Sequence, residues 1–315
     1  MAYAWRCRRC KGPHPPLPGG PDGKPWLGPC PNCGGSYDGE RVSVAEGDVD
    51  GAEVQPIMEG EVMSLSDAIT VEASNPEATI VIGSPGFDWI LGNGLPSGIG
   101  VLLASPAGGG KSTLIVETFR KLALRKLEAL YICTEETVVQ MGRRYARLGK
   151  FPPHFQVVHM TDIDEILELL ERRRPRVAAV DSLHDITGVK DSNDFSISTG
   201  SPSAVTLAAK AIRKLANAQD TTIFTVSHVT KAGGVAGSND LQHEMDMTLY
   251  LNGRQKVVDG MLKIVGVERT LRCAGKNRFA DTERMAHFQM QPDGLHDRGP
   301  WMYETPPWEP RLVDG

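Results

Sequence analysis

The chain has 315 residues, of which 40% are hydrophobic and 23% are charged, and its formal net charge is −5. This composition is ordinary for a globular protein, and the length suits one large domain plus a small one. The acidic balance argues against a globally basic nucleic-acid-binding protein, although a local basic surface is compatible with it. There is no apolar run of about 18 residues and no apolar signal segment, so we expect a cytoplasmic protein without membrane contact.

Four of the six cysteines form two closely spaced pairs near the amino terminus. Cys7 and Cys10 form the first Cys-x-x-Cys pair, and Cys30 and Cys33 form the second after 19 intervening residues. In a reducing compartment such pairs favour metal binding over disulfides, and four thiolates suit tetrahedral Zn²⁺. The spacing predicts a structural zinc knuckle over residues 1–40, and a redox role is the alternative.

The stretch at residues 41–64 is acidic and glycine-rich, without sustained hydrophobic periodicity. Such a composition predicts a solvated linker. We therefore expect a large second domain over residues 65–297, followed by a carboxyl-terminal tail at 298–315.

A phosphate-binding loop is predicted from Ser105 to Thr113, because this stretch follows an apolar run and precedes a helical pattern. Glycines let backbone N–H groups turn toward phosphate oxygens, and a helix amino terminus favours anions. Lys111 would reach the β- and γ-phosphates, and the Ser112 hydroxyl suits Mg²⁺. Ser105 stands where the G-x-x-x-x-G-K-[ST] pattern has its first glycine. The predicted nucleotide-binding residues are Gly108, Gly109, Gly110, Lys111, Ser112 and Thr113.

Three further buried strands are predicted to end in polar residues that suit phosphate chemistry. The strand at 129–134 ends in Glu135, a position for a water-activating base, although an ordinary acidic helix start is the alternative. The strand at 177–182 contains Asp181, which is suited to hold Mg²⁺. The strand at 222–227 leads into His228, which either senses the γ-phosphate or packs locally.

The pattern after residue 246 predicts four short strands, at 247–251, 261–267, 270–274 and 285–290, as an antiparallel extension of a mostly parallel sheet. Between two of them, a predicted turn carries Lys276 and Arg278. These cations either belong to a solvated loop or reach a nucleotide held by a neighbouring subunit. The elements together predict an α/β fold.

The ordered motifs resemble the bacterial RadA (Sms) family of RecA-like DNA-repair ATPases over nearly the whole chain. The resemblance depends on the cysteine knuckle, the segment Asp88–Gly98, the phosphate-binding loop, Thr134–Thr137, Val180–Ser182, Ser227–Lys231, Ala236–Asp246 and the Lys276–Phe279 sequence Lys-Asn-Arg-Phe.

The resemblance implies a RecA-like core that binds ATP and Mg²⁺, with Lys111 and Ser112 on the phosphates and metal. It implies Glu135 as catalytic base, Asp181 as Mg²⁺ partner and His228 as γ-phosphate sensor. Lys276 and Arg278 would act on the ATP of the next subunit.

It further implies a hexameric ring that moves along single-stranded or branched DNA, drives branch migration and meets a recombinase. Loops 184–203 and 229–240 would face the channel of the ring. Ala280 departs from the usual glycine after Phe279, and the carboxyl-terminal Lon-protease-like domain of the family has no counterpart in these 315 residues. We therefore expect a shortened form of the family.

Two alternatives to a DNA motor stay open. One is an accessory module that binds ATP and docks a recombinase through its zinc knuckle without translocating. The other is a regulatory ATPase or autokinase of the KaiC type, which also has paired glutamates. The zinc knuckle and the Lys-Asn-Arg-Phe turn argue against the second alternative.

Overall fold

The computed structural model describes residues 2–7, 13–14, 39–44, 64–66, 78–228, 239–258 and 261–301. The chain divides into two compact units, Met1–Ala78 and Thr79–Gly315.

In the first unit, three strands form an antiparallel sheet in the order β2-β1-β3. They are β1 (Ala2–Cys7), β2 (Pro13–His14) and β3 (Gly39–Val44). Strand β3 contains the predicted boundary between knuckle and linker at residues 40 and 41.

The predicted zinc ligands fall largely outside the described residues. Cys7 ends β1, but its side chain is not described, and Cys10, Cys30 and Cys33 lie outside the described ranges. Among the residues that the structure does describe, no group of three or more His, Cys, Asp or Glu side chains is placed to hold a metal ion. The four-cysteine zinc site therefore stays a prediction.

The second unit alternates strands and helices up to residue 228 and is mostly strand thereafter. Its helices are α1 (Pro85–Ile90), α2 (Lys111–Leu124), α3 (Val138–Tyr145), α4 (Ile163–Arg173), α5 (Pro202–Gln219) and α6 (Asn239–Glu244). Its strands up to residue 228 are β4 (Thr79–Ile80), β5 (Leu95–Pro96), β6 (Gly100–Ser105), β7 (Ala129–Cys133), β8 (Phe155–His159), β9 (Val177–Asp181) and β10 (Thr222–His228). The remaining strands are β11 (Met247–Asn252), β12 (Gln255–Val258), β13 (Met261–Ile264), β14 (Glu268–Asn277), β15 (Met285–Gln291) and β16 (Gly294–Pro300). Short 3₁₀ turns cover Ala146–Leu148 and Leu183–Asp185.

A nine-stranded sheet within the described residues organises this unit, in the order β16-β15-β14-β11-β6-β10-β9-β7-β8. In this order the strands β11, β6, β10, β9, β7 and β8 run parallel to one another. Strands β14, β15 and β16 each pair antiparallel with the strand before them in the chain that belongs to this sheet. The predicted α/β fold with a mostly parallel sheet is therefore confirmed. The expected antiparallel extension was wrong for its first strand, because β11 pairs parallel to β6 and only the later strands reverse direction.

Alternate residues of the central strands pack into two cores, one on each face of the sheet. Val101 and Leu103 of β6 join a cluster that includes Phe119 of α2. Leu102 of the same strand joins a second cluster with Ile212 of α5. Because successive strand residues point to opposite faces, a strand covered by helices on both sides needs apolar residues at every position.

The helical patterns bury the expected faces. Leu114, Ile115 and Phe119 of α2 are buried, as the periodicity predicts. The Asp162 side chain accepts from the amides of Asp164 and Glu165 and so caps α4.

The carboxyl-terminal part of the unit differs most from prediction. The strand predicted at 261–267 is the shorter β13, which pairs with β12 in a separate hairpin and not in the extension. The strand predicted at 270–274 is part of the longer β14, which runs from Glu268 to Asn277. Residues 294–300, which lie outside the four predicted strands, form β16. The predicted domain end at 297 therefore falls within a strand of the sheet.

Helices long and apolar enough to cross a membrane are absent from the described part of the chain.

Candidate nucleotide-binding site

The phosphate-binding loop lies between the carboxyl end of β6 and the amino end of α2. Its backbone enters the left-handed region at Gly108 (φ 74°) and Gly110 (φ 100°), where a side chain would be strained. Gly110 is the N-cap of α2. The glycines therefore allow the sharp turn that brings the amino end of a helix to the edge of the sheet.

Ser105 fits this loop because Gly109 has no side chain. The buried Ser105 hydroxyl donates to the Pro106 carbonyl at 3.0 Å. A Cβ atom at Gly109 would lie 1.6 Å from the Ser105 Oγ. The departure from the usual first glycine is thus accommodated by the small residue four positions later.

Lys111 begins α2 and extends its side chain back along the loop. Its Nζ donates to the Ser105 carbonyl at 3.0 Å, and the residue is 8% exposed. Burial lowers the pKa of Lys111, whereas the negative charges of Asp181 and Glu135 oppose this shift. These charge effects place two of the predicted site carboxylates in the electrostatic environment of the Lys111 ammonium.

Asp181 and Ser112 are brought together by the packing of β9 beside the loop. The Ser112 hydroxyl donates to the Asp181 Oδ2 at 2.5 Å, and the hydroxyl of Tyr131 donates to the same oxygen. A carboxylate and a hydroxyl are hard oxygen ligands of the type that Mg²⁺ prefers. The residues present therefore fit a Mg²⁺ ion held between Ser112 and Asp181.

The two adjacent glutamates after β7 have different surroundings. Glu136 forms an ion pair with Arg144 at 2.5 Å, and burial is the main reason that its pKa is raised. Glu135 is exposed and acts electrostatically on Lys111. Glu136 is thus engaged within the chain, and the predicted role of Glu135 as a water-activating base stays a prediction.

His228 ends β10, the strand that separates the loop strand β6 from the acidic strand β9. Its backbone is level with Ser105 in the parallel pairing. The side chain lies outside the described set, so the predicted sensor role stays a prediction.

Lys276 and Arg278 lie at the opposite edge of the sheet from the loop of the same chain. Asn277 pairs with Met247, and Met247 pairs with Val101 at the start of β6, whereas the loop follows the end of β6. The start of β6 at Val101 and its end at Ser105 are four residues apart, so Asn277 lies about 13 Å along the strand direction from the start of the loop. The structure therefore does not bring these two cations to their own phosphate-binding loop.

Both cations have partners at this edge. The Lys276 Nζ donates to the His243 carbonyl at 2.7 Å. The Arg278 Nη1 lies 3.5 Å from the Oδ1 of the buried Asp246, and its side chain is 58% exposed. Burial is the main cause of the lowered pKa of Lys276, and the positive charge of Arg278 adds to it.

Asn277 holds the turn that presents Arg278. Its side-chain oxygen accepts from the amides of Phe279 and Ala280, and its Nδ2 donates to the Ile90 carbonyl. Ala280 is not among the described residues with positive φ, so alanine serves where glycine was expected.

Three residues at the site escaped sequence reasoning. Tyr131 looked like an ordinary apolar strand residue, and Arg144 like a surface helix residue. Arg269, 3% exposed, contacts the loop across a long sequence separation. An arginine within an otherwise half-apolar strand was the only signal for it.

A glycine-rich loop between a buried parallel strand and a helix, with an acidic residue ending a nearby strand, defines a P-loop nucleotide-binding protein. Residues 83–234 match the family model described as "AAA domain". A KaiC-like protein from Pyrococcus horikoshii has a similar fold, with a TM-score of 0.53 and 17% identity. That similarity covers 70% of this chain and 98% of the archaeal one.

Curated relatives narrow this class. The Bacillus subtilis "DNA repair protein RadA" is 31% identical over 273 residues, which are 86% of this chain and 56% of the relative. The Chlamydia pneumoniae protein of the same name is 29% identical over 93% of this chain and 58% of the relative. This chain thus spans little more than half the length of these relatives. It belongs to the RadA family of RecA-like proteins.

Proposed function

We propose that this protein is a Mg²⁺-dependent ATP hydrolase that acts in DNA repair. The observation that carries the proposal is the joint placement of the phosphate-binding loop, Lys111 and the Ser112–Asp181 pair at one edge of the sheet. The names of its relatives, which are DNA repair proteins, support the biological setting.

The reaction assigns a separate task to each group. The loop amides and Lys111 bind the phosphates, and Ser112 and Asp181 would hold Mg²⁺, which would supply positive charge beside the phosphates. Water attacks the γ-phosphorus, the bond to the bridging oxygen breaks and ADP leaves. The Glu135 carboxylate orients that water and accepts its proton. His228 is proposed to sense the γ-phosphate.

We place Lys276 and Arg278 in the site of a neighbouring subunit. Their position at the far edge of the sheet supports this arrangement, because it keeps both cations away from the phosphate-binding loop of their own chain. A homo-oligomer, and a hexameric ring in particular, is the assembly that the proposal requires. Arginine supplied in trans stabilises the charge that develops in phosphoryl transfer.

The proposed DNA partner is a single-stranded or branched molecule, with a recombinase as a protein partner. Phe195 lies in the described part of the loop at 184–203 and is 70% exposed, which suits base stacking. In the same loop Lys190 pairs with Asp194 at 2.9 Å, and Asp185 and Asp191 add further negative charge. The loop is therefore not basic, contrary to the expectation for a phosphate-tracking channel loop. The second predicted channel loop lies mostly outside the described residues.

That charge balance favours a second candidate function, an accessory module that binds ATP and a recombinase without translocating. Translocation along DNA predicts ATP hydrolysis that single-stranded DNA stimulates. The accessory function predicts ATP binding without such stimulation.

One experiment separates these possibilities. ATP hydrolysis and oligomer mass are measured for the wild type, Lys111→Ala and Arg278→Ala, each with and without single-stranded DNA. We expect DNA-stimulated hydrolysis in the wild type and its loss in both variants. If DNA leaves the hydrolysis rate of the wild type unchanged, translocation along DNA is contradicted. If the wild type does not hydrolyse ATP at all, the proposal of an ATP hydrolase is contradicted.

We also propose that Cys7, Cys10, Cys30 and Cys33 bind one Zn²⁺, since two Cys-x-x-Cys pairs are typical of structural zinc sites. Metal content by mass spectrometry should fall from about one zinc per chain to near zero in Cys30→Ser. The buried Cys133 gives the matched control, because Cys133→Ser should keep its zinc. Equal zinc in the wild type and Cys30→Ser would refute the site.

A further inference from the structure

We infer that Arg269 is a positioning residue for the phosphate-binding loop, because its buried guanidinium holds the carbonyl groups of Gly108 and Gly109. The inference rests on the proposed binding of ATP at this loop. It adds to the residues that contact the nucleotide one residue that orients the loop. Arg269 does not contact the phosphates and acts through the loop backbone.

The burial of Arg269 needs an explanation, because an arginine is almost never fully buried without partners. Its side chain starts from β14, is 3% exposed and directs its hydrogen bonds to backbone carbonyls. The Nε donates to Gly109 at 2.9 Å and the Nη2 to Gly108 at 3.3 Å. The Nη1 donates to Gly266 and Glu268 at 2.8 and 2.9 Å. The guanidinium thus joins the loop to the start of β14.

These bonds fix the orientation of two peptide units of the loop, the one between Gly108 and Gly109 and the one between Gly109 and Gly110. A trans peptide unit points its C=O and N–H in opposite directions. With the Gly109 carbonyl bound to Arg269 of β14, the N–H of Gly110 points away from β14. Glycine peptides otherwise rotate easily, because glycine has no preferred sign of φ. Arg269 therefore selects one of the several orientations that three consecutive glycines permit.

Contacts from β13 and β15 also support the loop on the side that faces β14. The amide of Ile264 donates to the Ala107 carbonyl at 3.2 Å, one residue before the glycines. A Cβ at Gly110 would lie 2.5 Å from the Met290 Cε. The loop is thus held from the β13–β15 side, and its other side is left to the nucleotide.

A purely structural role for Arg269 makes a different prediction. In that case its loss would lower the free energy of unfolding but leave nucleotide affinity unchanged in the folded fraction. A positioning role predicts weaker binding of both ATP and ADP with kcat largely kept, because the loop amides bind ground state and transition state alike.

The test compares Arg269→Met, Arg269→Lys and the matched control Arg272→Met in the full chain. Arg272 lies on the opposite face of the same strand, with its guanidinium 5.6 Å from the centre of the Tyr250 ring. Thermal melting, the ADP dissociation constant, the ATP KM and kcat are measured for each.

We expect Arg269→Met to raise the ATP KM and the ADP dissociation constant at least about tenfold, with kcat changed less than about threefold. Arg269→Lys should recover part of the affinity, because an ammonium can still donate to one carbonyl. Arg272→Met should bind nucleotide like the wild type even if it melts lower.

Folded Arg269→Met with wild-type affinity would overturn the inference, as would an equal loss of affinity in Arg272→Met. If Arg269→Met fails to fold, the comparison of Arg269→Lys with wild type decides, and unchanged affinity there overturns it. Wild type that binds no ATP would instead refute the proposed function.

Discussion

The two edges of the central sheet present their charged residues in opposite ways. At the carboxyl edge, Lys111 and Ser112 are bound within the chain to Ser105 and Asp181. At the amino edge, Arg278 is largely exposed and is tied to Asp246 by an ion pair at 3.5 Å. The first edge holds its charged groups in contacts within the chain, whereas the second presents the Arg278 side chain to solvent, 58% exposed. The contrast agrees with the proposal that the two edges serve different nucleotide sites.

Strand β14 belongs to both edges. Arg269, near its start, contacts the phosphate-binding loop, and Arg278 follows its last residue. A strand of ten residues spans about 30 Å. The sheet therefore keeps the two charged groups too far apart to serve one nucleotide.

The strongest test of this contrast is Arg278→Ala. We expect kcat to fall about a thousandfold with ATP binding retained, because a cation supplied in trans acts on the transition state. Mixing this variant with Lys111→Ala should restore part of the activity in shared oligomers. Arg213 also pairs with Asp246 at 3.5 Å, so Arg213→Ala is the matched control and should keep its kcat. Loss of ATP binding in Arg278→Ala would indicate that Arg278 acts on the nucleotide of its own chain, and the two edges would then not serve different sites.

The next effect concerns the glutamate pair at the carboxyl edge. Glu135→Gln should lower kcat about a hundredfold while ATP still binds, since general base catalysis contributes this order of rate. Glu136→Gln is the matched control, because Glu136 is paired with Arg144 and should change kcat little. Single-turnover hydrolysis with measured nucleotide affinity separates the two. A larger loss of kcat in Glu136→Gln than in Glu135→Gln would make Glu136, and not Glu135, the catalytic base.

A smaller effect is expected for Tyr131→Phe. Its hydroxyl donates to Asp181, so its loss should raise the Mg²⁺ concentration for half-maximal activity about tenfold. The unfolding free energy should fall by about 1 kcal/mol, the usual value of a hydrogen bond. Thr221→Val serves as control, because it removes a buried hydroxyl that donates to the Pro175 carbonyl at 2.9 Å, next to the amino end of β10. An unchanged Mg²⁺ requirement in Tyr131→Phe would show that Asp181 needs no such support.

The smallest expected effect is on pH dependence. Burial raises the pKa of Glu117, which accepts from the Leu295 amide at 2.9 Å. A raised folded-state pKa means that the ionised form is disfavoured in the fold, so this group lowers stability as pH rises from 4.5 through its folded pKa. Glu117→Gln should therefore be relatively more stable at pH 8 than at pH 4, in urea melts compared with the wild type. A difference of the opposite sign would contradict the direction of the shift.

The local parts of the fold and site were predictable from sequence. Strand β6, the loop and helix α2 depend on neighbouring residues, and their apolar patterns match the buried faces. Strand β14 was misread because Gly275 and Lys276 suggest a turn, whereas Gly275 continues the strand at φ 80°. The pairing of β11 parallel to β6 depends on residues more than 140 positions apart, which local periodicity does not encode.

The side-chain partners at the site were the least predictable. Tyr131 reaches Asp181 across 50 positions, and Arg269 reaches Gly109 across 160. Such contacts depend on which strands become neighbours and on which face each residue lies. The sequence shows the residue types that phosphate chemistry needs, but the groups that orient them appear only after the sheet has formed.

The fit between Ser105 and Gly109 determines how this loop tolerates substitution. Any side chain at position 109 would overlap the Ser105 hydroxyl, as the 1.6 Å separation from a hypothetical Cβ indicates. A substitution at 109 therefore requires the Ser105 side chain to move or to be lost, and it would also bring the new Cβ within 3.0 Å of the Pro106 carbonyl oxygen.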